Sequence, residues 1–385
     1  RMPDSHSDQP HSQVSLRMKI IQSHEISVII QGNYFKYCSS SVIATSKVIE
    51  AWRKLLPDSQ IILSTWQSPP ESPLSIDKLV VAQDPGVTLT GRKTDPKTVD
   101  NNIGRQIRST HSGLSVAEKT YAIKTRTDIM PTGTGFISLF IEARKRNPKY
   151  CILERPIVTC RFCSLDPEKS GTYLHISDIF HFGTTADLIT FWNIDIPIIP
   201  VGTKYSYLDE NKRRLLTIDE AMLRPEQYLT LQLFRTSNAN FNLNYPKDTN
   251  SLVVSQSEAY VFNNFTIRDH HEVGIELPAR MVKSAQKGNK IYATDKIHEN
   301  EALFTDAAYE TNTSPSGDNG DLAGHYWKKF RATPYDLGVS NLISGIAMIL
   351  QHPNLIWNKE KMKRWRNYRR EGMLFLKEAR KKSRP

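Results

Sequence analysis

Short β-branched apolar runs alternate along this chain with segments of helical periodicity. Ile26 to Ile30 (ISVII) is such a run and ends in Gln31-Gly32-Asn33, a turn signal. Val42 to Leu56 places Val42, Thr45, Val48, Ile49, Trp52, Leu55 and Leu56 at helical spacing, and Pro57-Asp58 stops that helix. Gln60 to Thr65 and Lys78 to Ala82 predict two more strands, the second closed by Asp84-Pro85-Gly86. After a polar loop, Asn101 or Asn102 caps a helix through about Ala117, and Tyr121 to Lys124 predicts a fourth strand. Strand, helix, strand, strand, helix, strand is a parallel α/β pattern.

The later chain is more mixed. His175 to Gly183 alternates and predicts a strand or two. Thr184 to Trp192 and Pro225 to Phe234 open with helix-start residues and continue as apolar helices. Ser237 to Asn250 is a loop, Thr311 to Asp321 is a boundary segment, and Asp336 to Gln351 is an apolar helix.

Open parallel sheets bind ligands at the carboxyl ends of their strands. That rule singles out Gln31, Gly32, Ser64, Thr65, Trp66, Asp84 and the residues after Lys124. There the fourth strand runs into Lys124, Arg126 and Asp128, which alternation puts on one face. A carboxylate flanked by cations can hold a divalent metal on a diphosphate, or it can be a surface ion pair. Arg105 and Arg108, on the preceding helix, face either a phosphate or solvent. Asp178 and Glu226 are candidate proton acceptors for an attacking hydroxyl; the plainer readings are a solvent-facing strand acid and a first-turn acid at a helix dipole. Cys160, Cys163, His175 and His181 approach a zinc-finger spacing. Six strand residues separate the two histidines by about 20 Å, so the match is accidental unless the strand bends.

Composition narrows the class. The 385 residues are 39% hydrophobic and 24% charged, which permits a sizeable core. No apolar run is long enough to span a bilayer, and the polar start, Arg1 to Gln13, reads as a frayed tail. Four cysteines point to a reducing compartment. Walker, dinucleotide-fingerprint, GxSxG and HExxH motifs are absent. The net charge of +11 is concentrated at the end of the chain. Lys359 to Pro385 carries 12 Lys/Arg against 3 Glu and is interrupted by Trp365, Tyr368 and Phe375. Such a segment suits an anionic membrane surface; packing on the body and a nucleic-acid tail are the alternatives, the latter unlikely.

The succession ISVIIQGN, LLPDSQIILSTW, KLVVAQDPG, NNIGRQIRSTHSGL, YAIKTRTDIMP, HISDIFHFGTTADLITFW and LRPEQYL resembles the WavE lipopolysaccharide-synthesis family over roughly Glu25 to Arg280. The resemblance implies a bacterial glycosyltransferase with a GT-A-like fold: a Rossmann-type, mixed but mainly parallel sheet flanked by helices, followed by a helical basic C-terminal region. The implied organisation is a tail at 1–24, a transferase domain at 25–290 and a membrane- or partner-facing region at 291–385. Within the domain, 25–130 forms the nucleotide-sugar half and 131–290 the acceptor half. By this resemblance Asp128 ends a DxD-type motif and binds Mn²⁺ or Mg²⁺, although its first acid is replaced by Arg126. Arg126 and Lys124 could then replace part of the metal's charge. Gln31, Gly32, Ser64, Thr65, Asp84, Arg105, Lys124 and Arg126 bind the nucleotide-sugar, and Glu226, then Asp178, supplies the base. The implied acceptor is a lipid-linked saccharide, on an enzyme peripheral to the inner face of the bacterial cytoplasmic membrane. The alternative is a non-enzymatic binding protein that uses its basic tail on nucleic acid or a partner.

Overall fold

A computed structural model of the chain describes residues 20–38, 43–69, 74–86, 88–90, 99–142, 145–198, 213–215, 223–238, 240–243, 251–285 and 290–306. Seven strands form the central sheet: β1 Ile26–Gln31, β2 Gln60–Thr65, β3 Lys78–Val81, β4 Tyr121–Arg126, β5 Ile157–Cys160, β6 His181–Thr184 and β7 Phe265–Arg268. Their order is β3-β2-β1-β4-β6-β5-β7. All neighbours are parallel except β6, which runs antiparallel to both β4 and β5. This is the mainly parallel α/β sheet that the strand and helix pattern predicts, in the mixed form that the resemblance implies.

The helices longer than one turn are α1 Thr45–Leu55, α2 Ile103–Leu114, α3 Gly135–Ile141, α4 Thr185–Trp192, α5 Pro225–Arg235, α6 Ser251–Asn264, α7 Ala279–Ala285 and α8 Thr294–Phe304. They cover both faces of the sheet. Ile26, Val28 and Ile30 of β1 join Ile61, Leu63, Tyr121 and Ile123 on the face that receives Val48, Ile49 and Trp52 of α1 and Phe136 and Phe140 of α3. Ile29, Ile62 and Ala122 point the other way, into Ile103, Ile107 and Leu114 of α2 and the aromatic residues of α4 to α6. Every residue of β1 is buried, which explains its unbroken apolar run. Each such side chain contributes roughly 1.5–3 kcal/mol by leaving water.

Local chemistry sets the helix starts. Thr184 accepts a hydrogen bond from Asp187 N and caps α4, and Pro225 occupies the first turn of α5. Asp187 in turn receives Glu154 N at 2.7 Å and Arg155 N at 3.1 Å, tying α4 to the entry of β5. Of the strand expected at His175–Gly183, only the part from His181 onward is a strand. Ahead of it, side chains replace the ladder: Ser177 O accepts from Thr159 Oγ1 and His181 Nε2, and Ser177 N donates to Ser164 Oγ.

The reversed direction of β6 carries a distant part of the chain to the end of the sheet where β1, β2 and β4 finish. His181 pairs with Lys124 and Thr184 with Tyr121. The residues that lead into β6 therefore lie beside the carboxyl end of β4.

Ile21 is buried and Ser23–Glu25 form a 3-10 turn just before β1. At the other end, α8 packs on α6, with the Phe262 and Phe304 rings stacked at 6.2 Å. The expected boundary at Thr311–Asp321, the helix at Asp336–Gln351 and the basic segment Lys359–Pro385 lie outside the described residues, as does the start, Arg1 to Gln13.

Candidate functional site

Two hollows adjoin at the carboxyl ends of β1, β2 and β4. The first, about 330 Å³, is lined by Gln31, Gly32 and Asn33 after β1, Trp66 and Gln67 after β2, Asn102, Arg105 and Gln106 of α2, and Arg126 and Thr127 after β4. The second, about 410 Å³, shares Asn102, Gln106 and Arg126 and adds Cys163, Asp178, Glu226 and Arg280. Together they make one cleft with a common wall.

The first hollow is cationic and carries unsatisfied polar atoms. Arg105 holds Asp84 in a bidentate pair at 2.8 and 2.7 Å and lies 5.3 Å from the Trp66 ring centroid. The Asp84 carboxyl sits below its ordinary range, mainly through that hydrogen bond. Asn102 spends its side-chain oxygen on Arg105 at 3.2 Å, leaving the first turn of α2 without a side-chain cap. A helix start of this kind attracts anions. Gln31 is 4% exposed, yet its Oε1 has no hydrogen-bond partner, and neither has Asn33 Oδ1. Gly32 turns the chain at φ 138°, with Thr127 directly above it.

At the shared wall Asp128 is enclosed by two guanidiniums. Arg126 Nε lies 3.0 Å from Oδ1 and its Nη2 3.3 Å from Oδ2, and Arg280 Nη2 donates to Oδ2. Burial pushes the Asp128 carboxyl up, but these two cations outweigh it and hold the group below the usual carboxylate range. Arg280 is brought here by a small antiparallel ladder in which Met130 and Pro131 pair with Glu276 and Ile275. Beside it Thr132 N and Gly133 N donate to Gly274 O, and Gly135 lies so close that a Cβ would overlap Glu272 O.

The second hollow holds two carboxyl groups in unlike surroundings. Asp178 accepts a 2.5 Å hydrogen bond from Gln106 Nε2, and its backbone carbonyl receives Lys124 Nζ. Burial raises its pKa, but Lys124, Arg126 and Gln106 bring it below the ordinary value. Glu226 goes the other way: burial, then the Asp178 charge, push it up to about 8. Its Oε2 lies 3.4 Å from His175 Nε2. His175 Nδ1 is 2.8 Å from the Cys163 carbonyl, so that nitrogen carries the hydrogen and Nε2 is the acceptor. Burial keeps this imidazole neutral, with a pKa of about 4.

The expected site residues thus divide. Gln31, Gly32, Arg105, Arg126, Asp178 and Glu226 line the cleft, and Asp84 supports it through Arg105. Ser64 and Thr65 are fully buried in β2 and do not line it; Ser64 Oγ donates to Ser109 O at 2.6 Å beneath α2. Lys124 is also beneath the cleft, over the Trp192 ring at 4.7 Å, with burial lowering its pKa to about 8 against the pull of Asp178. Arg280 and His175 complete the site; nothing in the local sequence marks Arg280, which meets its partner 152 positions away, and His175 is marked there only by its zinc-like spacing.

The expected metal does not fit this arrangement. Mn²⁺ or Mg²⁺ needs carboxylate oxygens with free lone pairs. Both oxygens of Asp128 already serve two guanidiniums, whose charge opposes a cation. Among the described residues, the one cluster of three ligating side chains is Asp269, His270 and His271 after β7, and none of these lines the cleft. The zinc spacing brings no ligand set together: His175 faces Glu226, whereas His181 receives Trp192 Nε1 at 3.2 Å, and none of the four cysteines is in a disulfide.

No curated protein and no solved structure matches the chain. A family description, WavE lipopolysaccharide synthesis, matches residues 26–328, which extends beyond Arg280 into the later segment. That match spans most of the chain and all seven strands of the sheet, and on it the protein belongs to the WavE lipopolysaccharide-synthesis family.

Proposed function

We propose that the protein transfers a glycosyl group from a nucleotide-sugar donor to a saccharide acceptor during lipopolysaccharide synthesis. The observation that carries this reading is the shared wall of the cleft. A cationic hollow at the strand ends adjoins a hollow bearing two carboxyl groups, with Arg126 and Gln106 common to both. The first suits the nucleotide, the common wall at Arg126 suits its diphosphate, and the second suits the sugar and the attacking hydroxyl.

In the reaction, the bond from the anomeric carbon to the diphosphate oxygen breaks and its electron pair stays on the diphosphate. Arg126 stabilises that developing charge at the common wall. The acceptor oxygen forms the new bond and gives its proton to Glu226. A base is most useful when its pKa lies near the working pH, and burial brings Glu226 to about 8. Asp178 stays ionised and supports Glu226 electrostatically, while Gln106 fixes its orientation. A base on the acceptor side is what a single, inverting displacement requires.

The acceptor in this reading is lipid-linked, presented at the inner face of the cytoplasmic membrane, where residues 359–385 would hold the enzyme. Among the described residues no helix is long and apolar enough to cross a membrane. Deleting 359–385 should release the protein from anionic vesicles in a flotation assay; unchanged binding removes the tail from this role.

A thermal-shift screen of nucleoside diphosphates and sugar nucleotides tests the donor. A ligand that binds only the folded state raises the midpoint. A rise with one nucleotide supports the transferase and names its donor class. No rise with any of them overturns it.

A further inference from the structure

We infer that Arg126 and Arg280 form a two-guanidinium clamp that grips the donor's diphosphate without a divalent metal, and that Asp128 aligns the clamp and does not ligate an ion. This rests on the donor reading above and assigns the group that binds the phosphates.

Three observations carry it. First, the two guanidiniums approach the same carboxylate from different parts of the chain, Arg126 from the end of β4 and Arg280 from the first turn of α7. Asp128 has a 1% exposed side chain, whereas those of Arg126 and Arg280 are 31% and 34% exposed. The anion is therefore hidden and the cations face the cleft. Second, two positive charges around one negative leave the cluster cationic. A guanidinium has five N–H donors in a planar fork that matches phosphate oxygens. Arg126 spends two of its nitrogens on Asp128, and both arginines line the second hollow. Third, the positions where a metal would need further ligands hold other groups. Arg126 stands where an acid would precede Asp128, and Asp178 is engaged by Gln106.

The support of Arg280 is built into the backbone. The Met130–Pro131 and Ile275–Glu276 ladder and the contact of Gly135 with Glu272 fix the distance between the two arginine-bearing segments. A loose surface arginine would need no such support.

Calorimetric titration of the full-length protein with inorganic pyrophosphate tests the clamp, first in EDTA and then with Mn²⁺. Binding should appear in EDTA. Arg280→Gln should weaken it by about tenfold or more, since charge-assisted bonds are the strong ones. Arg280→Lys, which keeps the charge but not the fork, should restore part of the loss. Asp128→Asn separates the two roles: for an aligning residue, neutralising it leaves pyrophosphate binding equal or tighter, because a negative charge has gone. For a metal ligand, the same change abolishes binding.

Binding that appears only with Mn²⁺, or an unchanged Arg280→Gln, overturns the clamp. The same titration with nucleoside diphosphates and sugar nucleotides separates the two proposals. If these bind only with Mn²⁺, the donor reading stands and the clamp falls. If pyrophosphate binds in EDTA and no nucleotide does, the clamp stands as an anion site and the donor reading falls.

Discussion

Glu226 Oε2 faces His175 Nε2 at 3.4 Å, and the opposite nitrogen of that ring is held by the Cys163 carbonyl. Burial raises the acid to about 8 and lowers the imidazole to about 4, so between those values the pair is neutral and its proton sits on Glu226. The active carboxylate forms only above about 8. The rate constant kcat/KM should therefore climb with pH through that region and level off above it. His175→Phe removes the acceptor that favours the neutral acid and should move the limb to lower pH. A limb that stays in place would mean the two groups share no proton.

Glu226→Gln should lower kcat by roughly 100-fold or more, the usual size of a lost general base. Binding of the nucleotide portion should persist, because the carboxyl lines the second hollow and not the first. Single-turnover kinetics beside nucleotide titration would separate the two; wild-type rates would remove Glu226 as the base.

Glu258 gives a pH dependence unconnected with the cleft. It is buried, accepts Tyr292 Oη at 2.7 Å and Asn300 Nδ2 at 3.0 Å, and burial pushes it from 4.5 to about 8. The folded state thus holds a proton that the unfolded state releases between those values. Stability falls as pH rises from 4.5 to about 8 and is flat above. Glu258→Gln should remove this slope, with a relative gain on the order of a few kcal/mol at high pH. Urea midpoints at pH values below and above the window would show it.

Gly135→Ala should destabilise the protein by about 2 kcal/mol or more. The added carbon would overlap a backbone oxygen, Glu272 O, and backbone yields less readily than a side-chain tip. The melting midpoint should drop, and pyrophosphate affinity should drop with it. An unchanged midpoint would show that the two segments separate at little cost.

Arg105→Ala should weaken nucleotide binding about tenfold, the scale of a lost charge-assisted bond. It removes the cation above Trp66 and frees Asp84, whose charge then repels phosphate. Titration of the variant with the best nucleotide measures this; equal affinity would move the phosphates away from Arg105.

In the first half of the sheet β1, β2 and β4 were legible because they are buried on both faces and centre on apolar runs, and β3, half of it exposed, was legible from its apolar Leu79–Ala82 run between turn residues. β1, β2, β3 and β4, with α1 and α2 between them, fall where periodicity and turn residues put them. Four-residue strands such as Ile157–Cys160 and Phe265–Arg268 carry too little pattern to be read alone. The site was legible where it follows the strand ends, at Gln31, Gly32 and Arg126. Ser64, Thr65 and Lys124 show the limit of that rule: a residue at the strand end or within two positions of it can be core, not rim. Arg280 and His175 needed the tertiary structure, because each is defined by a partner far away in sequence.

The short ladder that delivers Arg280 also orders events in time. The chain through β4 can complete the first hollow early in synthesis, since β1, β2, α2 and β4 are all in place by Arg126. The guanidinium that closes on Asp128 is synthesised 152 residues later, after the residues of β7. A nascent chain interrupted before that point would carry the residues of the first hollow without Arg280, so any anion it binds there should be held more weakly than by the whole chain.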